Sequence, residues 1–222
     1  MKEKAVIILS GGMDSVTLLY DILSRGYDVF ALSVNYGQKH SKELVCAKNI
    51  CKKLNIEHIV LDLSMLSQSV FKKSALTSKE TSVPDGYYND ENMKQTVVPN
   101  RNMVLLSLAT GYAISIGATK IFYGAHAGDH DIYPDCRSEF VDAMKKVIEL
   151  ADWAKVELNA PYLNITKKEI LEIGFKLNVD YSNTWTCYKG GEKACGVCGS
   201  CQERLEAFNN LNIKDPLDYE SK

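Results

Sequence analysis

Residues 5–9, Ala-Val-Ile-Ile-Leu, are apolar at every position and are closed by Ser10-Gly11-Gly12. A short run with no polar face predicts a strand covered on both sides, as in a parallel sheet. Apolar residues then return with a helical period at Val16, Leu19, Tyr20 and Leu23, and Gly26 is a suitable stop. Residues 29–34 predict a second strand. Residues 41–54 predict a second helix, with Leu44, Ala47 and Ile50 on one face, and residues 57–63 a third strand. Strands separated by helix-length crossovers make a βαβαβ unit.

The pattern weakens over residues 64–96, where Ser, Thr, Lys, Asn and Gly dominate and only Leu66, Val70 and Phe71 look anchored. This stretch predicts a long surface excursion with at most one short helix, and such loops are often functional. Helical patterning resumes over 102–116 and 138–153, with a strand at 120–123 between them. Thr166 and Glu169 have capping-box spacing and predict a helix over 167–177; a last helix is expected over 202–211. The fold class is therefore α/β: a Rossmann-like parallel-sheet domain over residues 1–180, with a small C-terminal lobe over 181–222.

Composition narrows the class. Among 222 residues the net charge is −2, which argues against a large nucleic-acid-binding face. No apolar stretch reaches the ~18 residues of a membrane span, and residues 5–9 are too short for an export signal, so a cytoplasmic location is expected. Seven cysteines, four of them crowded near the C-terminus, point to metal or redox chemistry and not to a disulfide framework.

Ser10-Gly11-Gly12-Met13-Asp14-Ser15 lies between a predicted strand and a predicted helix. Glycines let the backbone approach an oxyanion, and free N–H groups at a helix start favour anions. Ser10 and Ser15 add hydroxyls. Asp14 would repel phosphate unless it meets Mg²⁺ or holds the loop by hydrogen bonds. The Walker lysine is absent, which excludes a P-loop kinase or GTPase. The hexapeptide matches the SGGxDS signature of the ATP pyrophosphatase superfamily.

Cys195, Cys198 and Cys201 form C-x-x-C-x-x-C, and Cys187 supplies a fourth thiol. Two-residue gaps turn successive thiolates toward one centre, giving a structural Cys₄ zinc site, with an iron–sulfur cluster as the alternative. Cys46 and Cys51 fit a helix flank as ordinary thiols. Between these motifs lie three polar segments. Asn35 to His40 follows the second strand, and Pro99-Asn100-Arg101-Asn102 opens a helix where Arg101 can neutralise phosphate. Gly124 to Arg137 follows the fourth strand with three Asp, two His and one Arg. We read the last as substrate recognition through Asp131, Tyr133, Asp135 and Arg137. Trp185 and Tyr188 either stack on a flat base or cover the lobe seam.

In order, SGGMDS, NYGQKH, VPNRN, YPDCR, TWTCY and the cysteine cluster resemble the 7-cyano-7-deazaguanine synthase family of the ATP pyrophosphatase superfamily, nearly end to end. Asn35 stands where Asp is usual, Asn100 where Gly is common and Thr186 where Ser is common. The resemblance implies a ligase that makes the nitrile from 7-carboxy-7-deazaguanine and ammonia through adenylated acid and amide, consuming two ATP with Mg²⁺. It implies ATP binding by the segment Leu9, Ser10, Gly11, Gly12, Met13, Asp14, Ser15, Val16, Thr17, Leu18 and Leu19. Zinc would be held by Cys187, Cys195, Cys198 and Cys201. Asp14, Ser15 and Arg101 are the expected catalytic residues. The implied partners are small molecules, without nucleic acid or membrane, and a homodimer is expected. The rival readings are a tRNA thiolase of the same superfamily, needing a basic face and a redox-active cysteine, and a nucleotide-binding module without catalysis.

Overall fold

A computed structural model describes residues 2–87 and 91–220. Five parallel strands form one sheet in the order β3-β2-β1-β4-β5: β1 Lys4–Ile8, β2 Asp28–Asn35, β3 Glu57–Asp62, β4 Lys120–Phe122 and β5 Glu157–Asn159. The helices are α1 Met13–Ser24, α2 Lys42–Leu54, the single turn α3 Leu66–Ser69, α4 Arg101–Ile116, α5 Ser138–Ala151, α6 Lys167–Lys176 and α7 Gly199–Asn209. The strand β5 is absent from the sequence reading. Its three residues alternate too briefly to register, and it exists because β4 offers it a pairing edge.

The central strand explains its own lack of polarity. Ala5 and Ile7 pack on one side with Leu18, Leu19 and Ile22 of α1, while Val6 packs on the other with Leu106, Ala109 and Ala113 of α4. Both faces are thus dry, and the three central positions, Ala5, Val6 and Ile7, leave no room for a charge. Ala207 and Phe208 of α7 join the first of these cores, so the C-terminal segment shares apolar burial with the sheet domain. The expected capping box is present: Thr166 Oγ1 accepts from Glu169 N and Glu169 Oε2 accepts from Thr166 N.

The excursion after β3 departs from the surface-loop expectation. Phe71, Leu76 and Val83 are buried in a third core with Val34, Tyr36, Trp185 and the four late cysteines, whereas Val70 is exposed. Gly86 N donates to Val197 O, and Asp85 bridges to Cys198, so this segment packs on the cysteine loop. Its apolar residues lack any period because they are anchored one at a time. Residues 88–90 of the excursion lie outside the described residues. No helix among the described residues is long and apolar enough to cross a membrane.

Candidate active site and metal centre

The strand order reverses beside β1, so the crevice between the C-terminal ends of β1 and β4 is the natural ligand position of this sheet. The glycine loop leaves β1 there. Gly11 has φ +94°, and a Cβ on it would stand 2.0 Å from Glu43 O, so only glycine fits against α2. Ser15 Oγ donates to Gly12 O at 3.1 Å and lies 3.0 Å from Ser10 Oγ, while Gly12 N donates to Ser10 Oγ, which pre-forms the loop. Gly12 caps α1 with no side-chain hydrogen bond, leaving first-turn N–H groups for an anion. From the other lip, a Cβ on Gly124 would lie 3.5 Å from Ser15 N.

A cavity of about 1060 Å³, its open mouth included, spreads from this loop. Ser10, Asp14 and Ser15 line it, with Leu9 at its base. Met13, Val16, Thr17, Leu18 and Leu19 are buried, Thr17 giving its hydroxyl to Met13 O. The cation missing from the loop comes from elsewhere. Lys167, at the start of α6, places Nζ 3.4 Å from Asp14 Oδ2 and 2.5 Å from Glu203 Oε2. Burial works against its charge, but Asp14 and Glu203 outweigh that and raise its pKa. His126 Nδ1 accepts from Gly128 N, which puts the ring proton on Nε2, facing Asp14 at 3.7 Å and Asp129 at 3.5 Å. Asp14 Oδ1 is buried without a hydrogen-bond partner.

On the opposite wall Arg101 stands 5.6 Å from the centre of the Tyr133 ring. Burial disfavours its charge, yet the nearby Tyr36, Asp135 and Cys136 hold it protonated, with a pKa raised well above the ordinary value. Asn100, just before it, has φ +58°, the conformation that glycine adopts freely and asparagine tolerates best among other residues. Tyr133 lines the cavity and its hydroxyl lies 2.8 Å from Thr96 Oγ1 and 3.3 Å from Tyr188 Oη. Asp135 reaches the site through α4: its carboxylate accepts from Asn102 N at 3.0 Å. Asp131 and Arg137 are exposed and do not line this cavity; Arg137 Nε donates to His130 O, and Asp131 edges a separate shallow depression. Asn35 Oδ1 accepts from Gly37 N while its Nδ2 donates to Asp62 at 3.2 Å, a pairing that an Asp at 35 would turn into repulsion.

Glu43, His40, Tyr123, His126 and Lys167 line the cavity without having been singled out from the sequence as site residues. Burial raises the Glu43 pKa to about 8, Asp14 adding to the effect while Arg101 and Lys167 oppose it. Burial and Arg101 lower His40 to about 3, so its ring is neutral.

Thr186, Tyr188 and Ser200 carry the cavity wall into the cysteine lobe. Trp185 N donates to Gly11 O at 3.1 Å, and the Trp185 ring is covered by Lys42 at 4.6 Å, so this aromatic seals the seam. Just beyond, the sulfurs of Cys187, Cys195, Cys198 and Cys201 lie within 4.8 Å of one another, all buried. Cys195 N donates to Cys187 Sγ and Cys198 N to Cys195 Sγ. Hydrogen bonds from Cys198 and Cys201 drive the Cys187 thiol far down, and pairing with Cys187 pushes Cys198 up to about 12. Sulfurs this close can all ionise only around a shared cation, and the closed all-sulfur shell fits a structural metal.

A parallel sheet in this order, with a lysine-free glycine loop after its first strand, defines an ATP pyrophosphatase-type domain. The fold is shared with NMN synthetase from Francisella tularensis, at TM-score 0.55 and 16% identity, covering 96% of this chain and 79% of that one. It is also shared with a 4-thiouridine synthetase solved with RNA and ATP, at TM-score 0.52 and 19% identity, covering 95% and 51%. Within that class, residues 4–212 match the model of Queuosine biosynthesis protein QueC, and the chain belongs to that family. A 7-cyano-7-deazaguanine synthase from Caldicellulosiruptor saccharolyticus is 62% identical over 217 residues, 98% of this chain and 96% of the relative.

Proposed function

We propose that this protein is an ATP-dependent carbon–nitrogen ligase that converts 7-carboxy-7-deazaguanine and ammonia to 7-cyano-7-deazaguanine in queuosine biosynthesis. The observation that carries this reading is the convergence on one cavity of the glycine loop, Lys167, Arg101 and the aromatic wall of Tyr133 and Tyr188. One end of this cavity suits a triphosphate and the other a flat, anionic heterocycle. A carboxylate oxygen is a poor leaving group, so the acid is first converted to an acyl-adenylate and ammonia then displaces AMP. Adenylation of the resulting amide oxygen allows a second loss of AMP, leaving the nitrile. The N–H groups of Ser10–Ser15 and the Lys167 ammonium hold the pyrophosphate, Ser15 keeps the loop in shape, and Arg101 offsets charge on the α-phosphate.

Mg²⁺ supplies further charge neutralisation when it arrives with ATP, and the unpartnered Asp14 Oδ1 suits one of its bound waters. Tyr133 and Asp135 shape the substrate end, Asp135 through the start of α4, while Asp131 and Arg137, turned outward, take no part in holding the substrate. Residues 181–222 act as a zinc-binding lobe on the ATP-binding domain of residues 1–180, one Zn²⁺ being held by the four cysteines. The protein works in the cytoplasm as a homodimer on small molecules, without nucleic acid.

The test is to incubate the protein with ATP, Mg²⁺ and ammonium, adding either the deazaguanine acid or tRNA, and to measure AMP and product mass. Two AMP per nitrile, dependent on the acid, is expected. AMP released only with tRNA would establish a thiolase-type enzyme, and no AMP under any condition would make the chain a binding module.

A further inference from the structure

The carboxyls of the cavity are not equivalent. Asp14 already faces Lys167 and His126. Glu43 opens on the same space with its side chain 14% exposed, and its Oε2 lies 3.4 Å from His40 Nε2. Among the described residues no lysine or arginine comes within ion-pair distance of it. It sits directly beside the glycine loop, its Oε1 3.5 Å from where a Cβ on Gly12 would stand. A buried carboxyl without a resident cation is costly when ionised, and it is stabilised by any small cation that enters. The reaction proposed above, on which this inference rests, has such a cation: its nitrogen source is mainly ammonium at neutral pH.

We propose that Glu43 is the ammonium-binding group and the base that frees ammonia for attack on the adenylate. The Glu43 carboxylate takes one proton from NH₄⁺ and leaves NH₃ beside the acyl-adenylate. The nitrogen lone pair forms the C–N bond at the carbonyl carbon. The adduct collapses by breaking the C–O bond to AMP, and its surplus N–H proton departs with the AMP phosphate. Glu43 then returns its proton to solvent through the cavity mouth. The groups facing it are His40, Tyr36 after β2, Asp14 on α1, Arg101 on α4 and Lys167 on α6, with Cys46 on its own helix. His40, lowered to about 3 by burial and by Arg101, is too weak a base to take a proton from ammonium in its place. A carboxyl whose pKa of about 8 lies close to working pH is well matched to a proton on ammonium.

The experiment compares wild type with Glu43→Gln and Glu43→Asp in two assays. Acid-dependent exchange of pyrophosphate into ATP, without ammonium, reads adenylation alone; in the wild type it also checks the underlying ligase reading separately. Single-turnover amide formation, with ammonium varied from pH 6.5 to 9.5, reads the nitrogen step. Glu43→Gln should leave exchange within about 2-fold of wild type. It should slow amide formation at pH 7 by at least ~10²-fold, the usual scale of a lost general base. The deficit should shrink as pH rises and free ammonia replaces ammonium. Glu43→Asp should recover part of the rate at pH 7. A deficit independent of pH, or equal loss of exchange and amide formation in both variants, would make Glu43 a support of the phosphate loop and overturn the proposal.

Discussion

Asp215→Ala removes one carboxylate from a fully enclosed network, and its cost follows from what is left behind. Arg204 has no exposed surface. Its Nε and Nη2 donate to Asp215 at 2.7 and 2.9 Å, Nη1 to Thr184 Oγ1 at 2.8 Å, and Nη2 also to Tyr181 O at 3.1 Å. Asp215 further accepts from Leu217 N and Tyr219 Oη. Truncation strands a guanidinium charge where water cannot reach it, which costs about 3–5 kcal/mol. With a urea slope of about 2 kcal/mol per molar, the unfolding midpoint of the metal-saturated protein should fall by about 2 M. Urea titration followed by tryptophan fluorescence reads this directly. The double substitution Arg204→Met with Asp215→Leu should recover more than half of the loss, because no buried charge remains unpaired. A midpoint shift below about 0.5 M for Asp215→Ala would refute the reasoning.

Gly11→Ala should abolish most ATP turnover. The new Cβ forces α2 to retreat from a 2.0 Å clash, and ångström-scale misplacement of a binding loop costs on the order of 10²-fold in rate, measurable by pyrophosphate exchange. Cys198→Ser should lose zinc, by metal analysis, and lower the melting temperature; a fully loaded and equally stable variant would remove the four-thiolate site. His40→Asn should flatten the acid side of the stability curve. The folded ring, lowered to about 3, refuses a proton that the unfolded ring accepts below about 6.5. Wild-type stability is therefore lost as pH falls from 6.5 toward 3, and denaturation midpoints across that window should change less in the variant.

What the sequence made legible was local. The β1–loop–α1 unit, the Thr166–Glu169 cap and the cysteine spacing each encode their geometry within a few consecutive residues. Lys167 escaped notice because it reads as an ordinary first-turn lysine; it becomes the cation of the glycine loop only when α6 packs beside α1. Glu43 likewise resembles any acid near a helix N-terminus until Gly11 draws α2 against the phosphate loop. In the segment from Gly124 to Arg137 the charged residues attracted attention, yet the structure turns Asp131 and Arg137 outward and His126 and Tyr133 inward. Nothing in a loop without periodicity could have sorted them, because the direction of each side chain is set by 3₁₀ turns at residues 127–129 and 134–136. The role of residues 64–96 was hidden for the same reason: its partner, the cysteine loop, lies more than a hundred positions away.

The hydrogen bond from Trp185 to Gly11 joins two parts of the chain that chemistry would otherwise keep apart. Thr186 and Tyr188, on either side of Cys187, form part of the active-site wall. The loop that faces the cavity from the end of the central strand and the loop that gathers the four sulfurs are thus pinned to each other at one point, so a displacement of either is carried directly into the other and into the wall between them.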